Sequence, residues 1–134
     1  LVTHSRFDKY LKGNESALSS KEKMGLKKFI HKGCVSCHGG SLLGGTQYQK
    51  IGSVNEYPTS DLGRFEVTGK KRDKKKFKVP SLRNILKTGP YFHDGSIKTI
   101  DKAITLMAFH QLGERVGPGF TEDVKAFFES LTME

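Results

Sequence analysis

Apolar residues recur at helical spacing in two stretches near the end of the chain. Ile100, Ala103, Ile104 and Met107 fall at i, i+3, i+4 and i+7, the stripe of an amphipathic helix. Thr99 stands at the N-cap position of that helix, which is expected to run to about Gln111 with Gly113 just beyond its end. Val124, Phe127, Phe128 and Leu131 repeat the spacing, with Thr121 as the expected N-cap and Glu122 and Asp123 in the first turn, where the helix dipole favours them. An earlier helix opens on the capping box Ser19-Ser20-Lys21-Glu22 and runs to about Lys32. Met24, Phe29 and Ile30 are expected near its buried side, and Gly33 stops it. Gly25 inside it costs about 1 kcal/mol relative to Ala; a close crossing by another helix would justify that cost. Residues 39–64 read as irregular, and a short helical turn is expected across 79–86, after Pro80, ended by Thr88-Gly89-Pro90. No strand signal and no internal repeat compete. The pattern predicts an all-α fold of about four to five helices with long Gly-rich loops, preceded by a lead-in segment over 1–18.

Composition agrees with one packed domain over 1–134. The chain has 134 residues, 35% hydrophobic with a further 15 glycines, close to an ordinary globular share. A chain of this length buries roughly 68–70% of its unfolded surface. No stretch approaches the ~18 consecutive apolar residues of a transmembrane helix. The first residue is Leu1 rather than Met, which we read as a processed or cut end.

The net charge is +9, and it is concentrated. Residues 70–78 read Lys-Lys-Arg-Asp-Lys-Lys-Lys-Phe-Lys, seven cations against one acid. One basic loop therefore supplies most of the imbalance. It is either a solvated lysine loop or a surface that an anionic partner meets. Only Phe77 interleaves with the charges, so no base-stacking surface for nucleic acid is expected.

The chemistry lies in the only two cysteines. They fall in Cys34-Val35-Ser36-Cys37-His38, the C-x-x-C-H attachment sequence for c-type haem. Residues three and four apart on a helical turn share one side. Both thiols can thus reach the two vinyl groups on one porphyrin edge, and His38 can ligate the iron. A thioredoxin-like dithiol belongs beside a βαβ pattern, which is absent. Structural zinc needs four ligands, and a disulfide over so short a loop gains little. One covalent haem c is expected, with no disulfide, and the expected all-α fold around it is cytochrome c-type. Its attachment outside the bacterial cytoplasm implies a periplasmic domain. The second axial position has two candidates, Met107 and His93; as ordinary residues they would be core filler and a polar loop side chain.

Seven segments in order resemble the C-terminal, high-potential haem domain of bacterial di-haem cytochrome c peroxidases and the related MauG-like proteins. The two most specific are Thr88-Gly89-Pro90-Tyr91-Phe92-His93-Asp94-Gly95 and Ala103-Ile104-Thr105-Leu106-Met107-Ala108 with Gln111-Leu112-Gly113. The resemblance implies thioethers at Cys34 and Cys37, iron ligands His38 and Met107, and Arg83 near the haem propionates. It implies calcium on the main-chain carbonyls of Thr88 and Pro90, between two haem domains. It also implies an N-terminal peroxidatic haem domain, which nothing in this chain matches. A small cytochrome c or cupredoxin would be the donor, and a homodimer the full-length assembly. The alternative is a stand-alone mono-haem electron carrier without enzyme activity.

Overall fold

The computed structural model describes residues 4–133; residues 1–3 and 134, the outermost positions of the expected domain, lie outside them. The described chain is mostly helical. Its α-helices are α1 (Arg6–Leu11), α2 (Ser20–His31), α3 (Phe65–Thr68), α4 (Ile100–Leu112) and α5 (Pro118–Glu129). A two-stranded antiparallel ribbon pairs β1 (Tyr48–Lys50) with β2 (Lys76–Lys78).

The α2–α5 crossing organises the core. Phe29 of α2 meets Phe127 and Phe128 of α5, with ring centroids 5.3 and 6.2 Å apart, and Phe7 of α1 meets Phe127 edge-on at 5.3 Å. Phe127 and Leu131 are completely buried. Gly25 lies where the two helices touch: a Cβ there would run into the main-chain carbonyl of Asp123. The close crossing expected from the sequence is therefore present. Asp123 also accepts hydrogen bonds from Lys28 (2.6 Å) and Lys21 (3.1 Å) of α2.

Several boundaries differ from the sequence reading. The lead-in segment contains α1, capped by a reciprocal Ser5–Asp8 box. Met24 and Ile30 of α2 are exposed, and its buried positions are Glu22, Gly25 and Phe29. Glu22 is buried because it closes its own capping box on Ser19 and receives the Arg6 guanidinium through two 2.6 Å bonds. Helix α5 starts three residues before Thr121, with Gly117 as N-cap and Pro118 at the first position. Proline's fixed φ suits that position, and the Thr121 hydroxyl donates back to the Pro118 carbonyl. Across 79–86 only Ile85–Lys87 makes a helical turn, of 3-10 type.

The ribbon is the second correction. It lies partly in the stretch read as irregular and partly in the basic loop. Its strands are three residues long and mostly polar, too short for a visible alternation. Tyr48 stands opposite Lys78, Gln49 opposite Phe77, and Lys50 opposite Lys76. Between the strands, residues 64–74 leave as an excursion carrying α3 and a 3-10 turn, Lys71–Asp73. Two bonds close its base: the Arg64 amide to the Lys76 carbonyl and the Lys75 amide to the Leu62 carbonyl, both 2.8 Å.

Candidate functional site

Residues 34–38 fold as one helical turn. Gly33 enters it with φ of 94°, a conformation that glycine adopts freely. The amides of Cys37 (3.3 Å) and His38 (2.9 Å) both donate to the Cys34 carbonyl, which sets the two cysteines and the histidine on a common turn. Both thiols are free. Burial pushes the Cys34 thiol up to about 11. That is the opposite of the depressed pKa that activates an attacking thiol in a dithiol redox centre.

His38 is held from behind by two segments. The loop over 41–44 is stitched to 80–83: Ser81 Oγ donates to the Leu42 carbonyl (2.5 Å) and the Leu82 amide to the Leu43 carbonyl (3.1 Å). Gly44 sits at the junction with φ of 125°. A Cβ there would strike the Pro80 carbonyl and come within 3.2 Å of His38 Nδ1. Burial lowers the pKa of His38, against the opposing influence of the Leu43 and Pro80 carbonyls. A neutral imidazole is the form that binds a metal. Nδ1 is buried without a hydrogen bond of good geometry. Two free thiols and a buried neutral histidine on one turn fit covalent haem c, with Cys34, Cys37 and His38 as the residues that would hold it.

Met107 lies on α4 as the spacing predicts, capped by Thr99 and ended by Gly113. Ile100, Ala103, Ile104 and Ala108 of this helix are buried. Met107 is only half-buried and stands outside the core cluster. The end of α4 is clasped by residues 50–55. Gln111 accepts from the Gly52 amide (2.5 Å) and donates to the Lys50 carbonyl (3.0 Å), and Asn55 Nδ2 donates to the Phe109 carbonyl (2.8 Å). His93 is packed rather than loose: its ring stacks on Phe77 at 4.1 Å, and Nε2 lies 3.4 Å from Thr59 Oγ1 and 3.9 Å from Asp61.

Arg83 engages all five of its N–H donors within the chain. They go to both Asp8 oxygens (2.8 and 2.9 Å), Ser5 Oγ (3.0 Å) and, twice, the Ser41 carbonyl (2.9 and 3.1 Å). Burial raises the Asp8 pKa, but the hydrogen bonds from Arg83 and Ser5 outweigh it and leave it lowered. Thr88 and Pro90 are exposed, and neither carbonyl accepts a hydrogen bond among the described residues. No three His, Cys, Asp or Glu side chains gather as a metal site among the described residues.

Three site residues escaped the sequence reading. Gln47 donates to the Ser36 and Cys37 carbonyls, at 3.2 and 3.3 Å. Gly44 was visible only as part of a Gly44-Gly45 pair. Asp8 was legible in Ser5-Arg6-Phe7-Asp8, a capping pattern of Ser followed three residues later by an acid.

No protein-family profile matches the chain. Over 136 residues it is 41% identical to cytochrome c peroxidase Ccp of Escherichia coli (strain K12), covering 98% of this chain and 29% of that protein. Over 130 residues it is 42% identical to cytochrome c551 peroxidase of Nitrosomonas europaea, covering 96% of this chain and 39% of that protein. The chain thus spans about a third of the length of these relatives. Its structure superposes with a TM-score of 0.81 on a MauG-like protein associated with microbial copper homeostasis, at 27% identity, over 99% of this chain and 49% of that one.

Proposed function

Since the chain belongs to the di-haem cytochrome c peroxidase and MauG-like family, we propose that it is the electron-transfer haem domain of a peroxidase that reduces hydrogen peroxide with electrons from a small redox protein. Haem c is the cofactor its relatives imply. With a histidine and a thioether as ligands, that group would supply a one-electron couple of raised potential. Cys34 and Cys37 would anchor it to the turn over 34–38. His38, kept neutral by burial, would be one iron ligand. Met107, on a helix whose end is fixed by the Gln111 clasp, would be the second. The observation that carries the Met107 assignment is its half-burial: a core-filling methionine would be buried as Ile104 is.

Arg83 holds the site from outside. Through Ser41 it fixes the loop behind His38, and through Asp8 it fixes α1. A propionate would share its guanidinium only by displacing one of those acceptors. Calcium at Thr88 and Pro90, a homodimer of the full-length protein and a periplasmic location rest on the family resemblance. Among the described residues no helix is long and apolar enough to cross a membrane.

Peroxide turnover tests the reading. The haem-loaded chain should accept one electron per molecule from a reduced donor and turn over negligible peroxide, because His38 and Met107 would leave peroxide no open place on the iron. Turnover appears when the peroxidatic haem domain is present. Strong turnover by the chain alone, with its ligands intact, overturns the division of labour. A stand-alone carrier would show no turnover in any full-length context.

A further inference from the structure

The ribbon joins the strongest charge on the molecule to the haem motif. Facing residues of an antiparallel pair share one side, so Tyr48, Lys50, Lys76 and Lys78 lie on one face and Gln49 and Phe77 on the other. Phe77 stacks on His93, and on the opposite face Tyr48, Lys50 and Lys78 are exposed and Lys76 is half-buried. Five lysines on or at the ends of the helices have acidic partners, Lys21 and Lys28 in Asp123, Lys23 in Glu15, Lys32 in Glu114 and Lys125 in Asp101, while Lys9, Lys12, Lys27 and Lys102 are scattered over α1, α2 and α4 without one among the described residues. Lys50 and Lys78 have no acidic partner among the described residues, Lys76 meets Asp73 only through its charge, and nearby Lys75 and Arg64 reach only Glu56 and Asp73. Tyr48 is 46% exposed within this ring of charge and carries the Arg64 guanidinium 4.5 Å from its ring centroid.

The same face adjoins the candidate redox centre. Gln47, next to Tyr48, binds the Ser36 and Cys37 carbonyls. At the same end β2 runs on through Val79, whose amide donates to the Gln47 carbonyl (2.9 Å), into Pro80 behind His38. Val35, at 41% exposure, is the apolar tip of the motif beside it. A tyrosine and an arginine within a cationic rim make a protein-recognition pattern. Single-stranded nucleic acid would need a run of outward aromatics on which successive bases stack; this face offers Tyr48 alone, with the Arg64 guanidinium already over its ring. A membrane surface would need an inserting apolar helix face, which the ribbon lacks.

We infer that the outward face of the ribbon, Tyr48, Lys50, Lys76 and Lys78 with Arg64, is the docking surface for a small acidic electron-donor protein seated beside Ser36 and Cys37. This rests on the electron-transfer reading and names the partner's charge and place. One electron passes from the donor, which is oxidised, to the ferric haem, which is reduced; no atom is transferred.

Stopped-flow reduction of the haem-loaded full-length protein tests it. The probes are reduced flavodoxin, a small acidic electron-transfer protein, and dithionite, which needs no docking surface. With flavodoxin the wild-type rate constant falls steeply with added salt. K50E/K76E/K78E lowers it about tenfold or more at low salt and flattens the salt dependence. K9E/K12E/K27E, with the same change in net charge on α1 and α2, stays within about threefold of wild type. Dithionite reduces all three alike. An unchanged flavodoxin rate in the ribbon variant overturns the docking surface and leaves the electron-transfer reading intact. Loss of phosphatidylserine-vesicle binding with an unchanged flavodoxin rate overturns it in favour of a lipid surface. A protein that carries no covalent haem overturns both.

Discussion

Asp8 and Arg83, 75 residues apart in sequence, meet as a two-pronged pair, Oδ1 to Nη2 at 2.8 Å and Oδ2 to Nη1 at 2.9 Å. The pair fastens α1 to the segment that backs His38. Its carboxylate is held below its ordinary pKa, so its contribution is present above the unfolded carboxylate range, about pH 4, and is lost as pH falls through the folded value. Asp8→Asn should cost about 1.5–3 kcal/mol at pH 7. Urea unfolding at pH 7 and in stepwise acid should show the difference from wild type shrinking below about pH 4. A penalty independent of pH would count against the ionised pair.

Covalent attachment is checked by extraction. Haem should stay on the polypeptide through acid-acetone precipitation. Cys34→Ala and Cys37→Ala should each leave a single thioether and shift the pyridine haemochrome band, and the double variant should release haem to the solvent. Free haem from correctly matured wild type would remove the attachment assignment.

Met107→Ala separates ligand from filler. As a ligand, Met107 gives the ferric protein a weak far-red sulfur-to-iron band, and the variant should lose it. The potential should fall on the order of a hundred millivolts, within the range axial ligands command, and exogenous ligands should bind. As filler, truncation would cost about 2–5 kcal/mol with spectrum and potential unchanged. Spectrum and melting curve are measured on one sample; an intact band sends the assignment to His93 or another residue.

Two glycines should respond oppositely to alanine. Gly25→Ala drives a methyl into the Asp123 carbonyl and should destabilise by about 1–3 kcal/mol, as overpacked contacts do. Gly119, in the first turn of α5, has nothing within 4 Å of its Cβ position. Gly119→Ala should be neutral or stabilising by up to about 1 kcal/mol. Chemical melts of the two variants give the comparison directly.

The sequence carried what depends on short-range pattern. The capping box at Ser19 and Glu22, the apolar stripes of α4 and α5, and the helix crossing at Gly25 all read from spacing. The motif over 34–38 was legible because its chemistry fixes both residue type and interval. What escaped was set by long-range contact. The ribbon has three residues per strand and depends on closing a loop of more than twenty residues, so Gln49 and Lys50 show no periodicity. Met24 and Ile30 look like core residues of α2, yet the α5 crossing at Gly25 turns them outward. Arg83 looked available for a propionate; nothing in its neighbourhood in sequence announced that Asp8, far upstream, engages both of its terminal nitrogens.

The closed base of residues 64–74 has an evolutionary consequence. The Arg64–Lys76 and Lys75–Leu62 bonds seal the excursion before it leaves the ribbon, and at its tip Val67 is 89% exposed and Gly69 faces open space. Lengthening such a loop costs little, about 0.6 kcal/mol for each doubling. Insertions and deletions are therefore expected to accumulate there, while the spacing between Gln47, Pro80 and the motif stays constant. Lineages can retune the charge of this tip without altering the turn over 34–38.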